Sequence, residues 1–174
     1  MGVQYGFRID TDKCIKCWAC EVACKAWNGI SAGGIARRKV HEVCEGTFPN
    51  VTRYFTSLTC QHCAEPACAK VCPAGAISKR EEDGIVVVDK TRCIGCHYCF
   101  MACPFGIPQY TEAGMDKCDC CLGCGVEPGD TPHCVRACTT QALTYGDLSE
   151  LAEDVQQGLA ERAANASATA AASK

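Results

Sequence analysis

Sixteen of the nineteen cysteines in this chain fall into four groups of four. Group one is Cys14, Cys17, Cys20 and Cys24; group two is Cys60, Cys63, Cys68 and Cys72. Group three is Cys93, Cys96, Cys99 and Cys103; group four is Cys118, Cys121, Cys134 and Cys138. Cysteines two residues apart, repeated in short runs, let a single loop wrap several thiolates around one small metal core. Four thiolates per group is the donor set of a [4Fe-4S] cluster, so four groups suit four such clusters. Their chemistry is one-electron transfer with little bond rearrangement.

A disulfide scaffold is the competing reading of so cysteine-rich a chain. The odd count and the tight two-residue spacing argue against it. Zinc thiolate modules share the donor type but are colourless, and absorption near the visible edge separates them from iron–sulfur centres. The four histidines, His41, His62, His97 and His133, are not needed as ligands, because each group already holds four thiols. His62, His97 and His133 lie inside the cysteine loops and are placed to hydrogen-bond sulfur or backbone. Trp18 and Tyr98, also in those loops, suit shielding or contact with a partner. Cys44, Cys120 and Cys124 are left over and read as ordinary thiols. Cys120 and Cys124 sit so close to Cys121 that spacing alone permits a one-residue shift of the group-four ligands.

The elements that must position these thiols are short. The 174 residues carry a net charge of -3, and clusters with their thiolates add further negative charge. Nucleic-acid binding, which wants a basic field, is therefore excluded as the main role. The run Arg37, Arg38 and Lys39 reads as a solvated loop. No stretch reaches the length of a membrane span, and residues 1–10 have no apolar signal core. Assembly in the cytoplasm follows as the expectation, with any export carried by a partner. The 48% hydrophobic fraction counts the cysteines, so the apolar core is thin, and metal binding is expected to supply much of the folding energy.

Along the chain, a strand over Gly6–Ile9 precedes group one. Residues 28–59 form a Gly-rich insertion whose end, Val51–Leu58, alternates like a strand. A hairpin is expected from Ala76–Ser78 and Ile85–Val88 around the turn Lys79–Gly84. A strand over Ala142–Tyr145 follows group four, then a helix from Asp147 to about Ala164. The Ala/Ser/Thr-rich segment from Asn165 to Lys174 reads as a flexible tail. Cys72-Pro73-Ala74-Gly75-Ala76-Ile77 is echoed by Cys138-Thr139-Thr140-Gln141-Ala142-Leu143, an internal repeat. Pro73 and Pro104 follow fourth cysteines and fix their turns.

In two-cluster bacterial ferredoxins, three cysteines of a run hold one cluster and the fourth reaches the other. Applied here, groups two and three pair across the short hairpin. One cluster then takes Cys60, Cys63, Cys68 and Cys103, and the other takes Cys93, Cys96, Cys99 and Cys72. Groups one and four pair around them, as Cys14, Cys17, Cys20 and Cys138, and as Cys118, Cys121, Cys134 and Cys24. Spacing alone also permits group one with group two. The fold class expected is α+β: two bacterial-ferredoxin-like units built around four [4Fe-4S] clusters, with an inserted β/loop segment. Unit A combines residues 3–27 and 111–146, the insertion is 28–59, unit B is 60–110, and the C-terminal helix and tail are 147–174.

Several stretches are specific enough to carry a family resemblance. They are Gln4-Tyr5-Gly6-Phe7, Cys60-Gln61-His62-Cys63-Ala64-Glu65-Pro66-Ala67-Cys68, and Lys79 to Asp89 running on to Cys93-Ile94-Gly95-Cys96-His97-Tyr98-Cys99. Together they resemble the iron–sulfur (electron-transfer, beta) subunit of the dimethyl sulfoxide reductase family of molybdopterin oxidoreductases, over residues 3–148. The resemblance implies four [4Fe-4S] clusters with the same nested pairing. It implies no catalytic residue in this chain. It implies a large molybdopterin (Mo or W) catalytic subunit as partner, and a membrane anchor subunit or soluble electron donor. Membrane association would then come through partners. It also implies that the Cys14 cluster lies nearest the pterin centre and the Cys60 cluster toward the external donor. The alternative is a free multi-cluster ferredoxin or a hydrogenase-associated wiring protein.

Overall fold

The structure is a computed structural model that describes residues 2–172, with side chains placed through residue 160. Eight strands and five helices occur among them: β1 (Tyr5–Ile9), α1 (Ala19–Trp27), β2 (Arg38–Thr47), β3 (Asn50–Thr59), α2 (Ala67–Lys70), β4 (Ile77–Lys79), β5 (Val86–Val88), α3 (Tyr98–Ala102), β6 (Gln109–Thr111), β7 (Gly114–Asp116), α4 (His133–Arg136), β8 (Leu143–Asp147) and α5 (Leu148–Ala172). The strands form four separate two-stranded antiparallel sheets: β1–β8, β2–β3, β4–β5 and β6–β7.

Each cysteine group ends in C-x3-C, and each of those endings lies on or beside one of the short helices α1 to α4. The sequence dictates this. Residues i and i+4 share a helix face and stand about 6 Å apart along its axis. On α1 that face is Cys20 and Cys24, both buried. One helix face therefore presents thiols to two neighbouring sites. Helix α1 also carries Glu21 in its first turn and Lys25 in its last, each on the side its dipole favours.

Helix α1 packs on α4, and α2 packs on α3. Strand β1 pairs with β8 in the register Tyr5–Asp147 to Ile9–Leu143, which brings the start of the chain against its later part. Two small apolar clusters fill the interior. One joins Ile77, Val86, Cys99 and Met115; the other joins Cys20, Cys134 and Leu143. More than half of these buried side chains are cysteine or methionine, which is why metal sites and core coincide.

The β4–β5 hairpin and the β1 and β8 strands lie where the sequence pattern puts them, within a residue or two. Three expectations change. Residues 38–47 are a full strand paired with β3, so the insertion is a long hairpin. The basic run is not a solvated loop, since Arg38 is 1% exposed and Arg37 is ion-paired to Asp116 and Asp119. The reason is that β2 begins here and lays Arg37 against Asp116 and Asp119 and Arg38 against the thiols of the cysteine-rich interior. The helix after Asp147 continues to Ala172 instead of giving way to a flexible tail at Asn165, because alanine is the strongest helix former. Ser173 and Lys174 of that expected tail lie outside the described residues.

Candidate metal centres

All nineteen cysteines are free thiols, and fifteen of them face one another in four nests. Cys14, Cys17, Cys20 and Cys138 line one cavity with Ile9, Val40, Ser57 and Leu143. Cys72, Cys93, Cys96 and Cys99 line another with Ile77, Tyr110 and Met115. Cys24 faces Cys118, Cys134 and Cys121, and Cys68 faces Cys60 and Cys103. Every expected set thus has members facing one another, and Cys63 sits on the loop between Cys60 and Cys68. Cys24 meets group four and not group two, as the nested pairing expects. The cause is the α1–α4 and α2–α3 packing, which swaps fourth cysteines between partner loops.

The donor sets fit iron–sulfur clusters. Each nest offers thiols as its donors, the two end nests have largely apolar linings, and backbone amides are aimed at sulfur. Ala76 N–H donates to Cys72 Sγ at 3.3 Å and Met115 N–H donates to Cys93 Sγ at 3.3 Å. Such bonds stabilise thiolate and cluster sulfur alike. Gly114, at φ +98°, makes the approach of β6–β7 possible, since a Cβ there would sit 3.1 Å from Cys93 Sγ. Burial drives Cys20, Cys24, Cys60, Cys68, Cys121 and Cys134 away from ionisation. Burial, then the neighbouring Cys118, Cys134 and Cys121, pushes Cys24 far up. Burial pushes Cys121 up to about 12. Cys138 goes the other way: burial opposes ionisation, but the Leu143 and Ala142 amides and the Thr140 hydroxyl outweigh it.

Cys118 and Cys121, and not Cys120, turn into the group-four nest. Cys120 turns toward His62, its Sγ 3.3 Å from His62 Nε2. His62 is fully buried and accepts the Val86 N–H on Nδ1 at 3.0 Å, which leaves Nε2 as the protonated nitrogen. Cys124 donates instead to Trp27 O at 3.2 Å and Asn28 Oδ1 at 3.3 Å. His97 stacks on Tyr110 at 3.7 Å, and His133 stacks on Trp27 at 3.9 Å. Cys44 sits on the exposed β2 strand beside Glu42.

The order of the nests differs from the expected one. Arg38 faces Cys20 of the first nest and both Cys118 and Cys134 of the second. Cys60 in turn faces Cys118 and the amine of Lys117. The succession is therefore Cys14 nest, Cys24 nest, Cys60 nest, Cys72 nest. The Cys60 nest is interior, and the Cys72 nest takes the far end. Chain spacing could not reveal this, because it depends on how the two helix pairs abut. His62 and Lys117 sit at that junction; His62 bonds sulfur and backbone as its place in the cysteine loop suggests, whereas Lys117 was not singled out in the sequence. Lys117 is 4% exposed and donates to the carbonyls of Val86 and Cys118.

Gln4 was another silent residue. Its side-chain amide donates to His62 O at 2.9 Å and Gly84 O at 3.2 Å, while its own backbone carbonyl accepts the Leu148 amide at 2.9 Å. It ties the chain start to the loop before α2, to the β4–β5 turn and to the start of α5, and only its place in the Gln4-Tyr5-Gly6-Phe7 motif hinted at this.

The two end nests alone carry an exposed ligand-position cysteine, Cys17 at one end and Cys96 at the other. Each has an apolar rim. Ile15, Trp18 and Val22 surround the first, and Ile94, Tyr98 and Met101 surround the second, all exposed.

Comparison with known proteins agrees with this geometry. A family model described as a 4Fe-4S dicluster domain matches residues 51–148. The chain is 45% identical over 161 residues to the B subunit of the anaerobic dimethyl sulfoxide reductase of Escherichia coli strain K12, covering 87% of this chain and 77% of that subunit. It is 46% identical, with the same coverage, to YnfG of the same strain, a probable anaerobic dimethyl sulfoxide reductase subunit. It is 37% identical over 163 residues to Protein NrfC of that strain, covering 92% of this chain and 73% of the other.

Proposed function

Since the chain belongs to the iron–sulfur subunits of the dimethyl sulfoxide reductase type and binds [4Fe-4S] clusters, we propose that it relays single electrons through four of them. The partners are a large molybdopterin (Mo or W) catalytic subunit at one end and a quinol-linked membrane subunit, or another redox protein, at the other. The observation that carries this reading is the succession of four sulfur nests in which only the terminal two carry an exposed cysteine, each beside exposed apolar side chains. When bound, each cluster supplies one-electron capacity with little rearrangement.

The chain's own residues do the rest. The ligand sets are Cys14, Cys17, Cys20 and Cys138; Cys24, Cys118, Cys121 and Cys134; Cys60, Cys63, Cys68 and Cys103; and Cys72, Cys93, Cys96 and Cys99. The Ala76 and Met115 amides donate to the Cys72 and Cys93 sulfurs of the last set. All four cysteines of the Cys24 nest are buried, which limits the solvent reorganisation that accompanies charge transfer there. Two ferredoxin-like units are the natural division, one on α1–α4 with β1–β8 and one on α2–α3 with β4–β5, with the β2–β3 hairpin as the insertion. No helix among the described residues is long and apolar enough to cross a membrane, so attachment to a membrane runs through the partner. The Cys14 end faces the catalytic subunit and the Cys72 end faces the donor.

The test is anaerobic purification of the native complex, with iron, sulfide, molybdenum and tungsten measured and reduced samples examined by EPR. The reading expects about sixteen irons per chain and a co-purifying large subunit containing molybdenum or tungsten. Cys138→Ser should alter the same EPR signal as Cys14→Ser. A signal shared instead by Cys138→Ser and Cys118→Ser would defeat the ligand sets. A lone iron protein with neither metal would defeat the partner assignment in favour of a free ferredoxin.

A further inference from the structure

Arg38 is the most deeply buried charged side chain of the first junction, at 1% exposure. A guanidinium keeps its charge in proteins, and a buried charge without a partner is strongly unfavourable. Among the described residues no carboxylate pairs with it. Its neighbour Arg37 shows the ordinary solution, with Asp116 at 2.7 Å and Asp119 at 3.2 Å. Arg38 has only neutral company: Ser57 O at 3.4 Å, Ser57 Oγ at 3.1 Å, and the Phe7 ring with its centroid 4.5 Å away. Its Nε and Nη2 find no hydrogen-bond partner. What faces the cation is sulfur, from Cys134, which it contacts most closely, and from Cys118 and Cys20. Ser57 Oγ joins the cation to the last of these, lying 3.4 Å from Cys20 Sγ while it accepts from Arg38.

We propose that Arg38 is a positioning residue that holds an unneutralised positive charge between the Cys14 and Cys24 nests and thereby raises the reduction potentials of both clusters. This rests on the ligand sets proposed above. The sign follows from charge. An added electron makes either cluster more negative, so a fixed cation beside it favours the reduced form. Because one cation serves two nests, it moves both potentials together and keeps the step between them level. Ser57 and Phe7 are its mount: a hydroxyl and carbonyl fix one edge of the guanidinium and a ring face takes the plane.

The experiment is a redox titration followed by EPR on the whole complex carrying Arg38→Met or Arg38→Lys, with iron counted in each. Arg38→Met is expected to lower the two potentials on the Cys14 and Cys24 nests by on the order of tenfold in the reduced-to-oxidised ratio, about 59 mV for a one-electron couple. The other two potentials stay in place. Arg38→Lys, which keeps the charge, stays near wild type. No shift in Arg38→Met, or an equal shift of all four centres, overturns the proposal. If Arg38→Met sheds those two clusters, retention of clusters and potentials in Arg38→Lys supports the charge role; loss in both variants overturns it in favour of a packing role. Wild-type complex without four signals would instead overturn the ligand assignment itself, before any variant is compared.

Discussion

The middle of the molecule and its two ends solve opposite problems with the same residue type. In the Cys24 nest all four thiols, Cys24, Cys118, Cys121 and Cys134, are buried. At the ends, Cys17 and Cys96 reach the surface among exposed Ile, Trp, Tyr and Met side chains. The middle also concentrates the buried cations, Arg38 at one junction and Lys117 at the next. A relay has to be dry and charge-balanced inside, yet approachable at its termini, and the burial pattern divides those duties by position along the succession. The difference teaches that one spacing motif can serve as core or as contact, with the neighbours deciding which.

The largest expected effect separates the two regions directly. Cys134 is 3% exposed and belongs to the core cluster with Cys20 and Leu143. Cys134→Ser should therefore remove both its own cluster and much of the fold, because metal binding is folding energy in so thin a core. Protease resistance and iron content should fall together, with the β1–β8 and α1–α4 region cut first. Cys96→Ser, at an exposed end, should cost the signal of one cluster while the rest of the chain stays protease-resistant. Equal fragility of the two variants would erase the distinction between middle and end.

Next in size is the inner wall of each end nest. Leu143 at 4% exposure lines the Cys14 nest, and Met115 at 1% lines the Cys72 nest. Truncating either to alanine should destabilise by about 2–5 kcal/mol through lost burial and a residual cavity. The half-life of the holoprotein in a strong iron chelator reads this out. Each variant should lose the cluster of its own end first. Should Leu143→Ala release the Cys72-nest cluster sooner, the ends would not be independent.

Smaller again is the effect at the rims. Trp18 is 47% exposed and Met101 is 80% exposed, on opposite ends. An aspartate at either position places a charge in an apolar contact. Each is expected to weaken one association by about tenfold, roughly 1.4 kcal/mol. Trp18→Asp should weaken binding to the catalytic subunit and Met101→Asp binding to the donor, with iron content unchanged in both. Binding measurements on each pair would show crossed or shared effects, and shared effects would argue against two separate docking faces.

The sequence made the four cysteine groups, the β4–β5 hairpin and the β1 and β8 strands legible because those depend on local spacing. Three cysteines wrap a loop, a fourth lies one helical turn on, and β-branched runs such as Val86-Val87-Val88 make strands wherever they find a partner. What stayed hidden depends on contacts far apart in the chain. Arg38 looks like a surface residue in a basic run until Ser57, Phe7 and three cysteines close around it. The interior rank of the Cys60 nest follows from Cys60 meeting Cys118, far along the chain. His62 reaching Cys120 is the same kind of fact. Local spacing determines which thiols can share a site; only packing determines which sites are neighbours.

The least effect is expected from Cys44, and it tests whether every cysteine here serves the relay. Its thiol is exposed on β2, donating to Glu42 Oε1 at 3.4 Å, and Arg53 from the facing strand also contacts that carboxylate at 3.2 Å. The Glu42 carboxyl is held below its usual range first by Lys16 and then by this thiol. Cys44→Ser keeps a hydroxyl donor for Glu42, and Lys16 and Arg53 remain to hold the carboxylate. Exposed contacts of this type contribute little to stability. Iron content, all four redox potentials and thermal stability should match wild type. A lost EPR signal in Cys44→Ser would mean that the β2–β3 hairpin itself reaches a metal, and that the sixteen-ligand partition is incomplete.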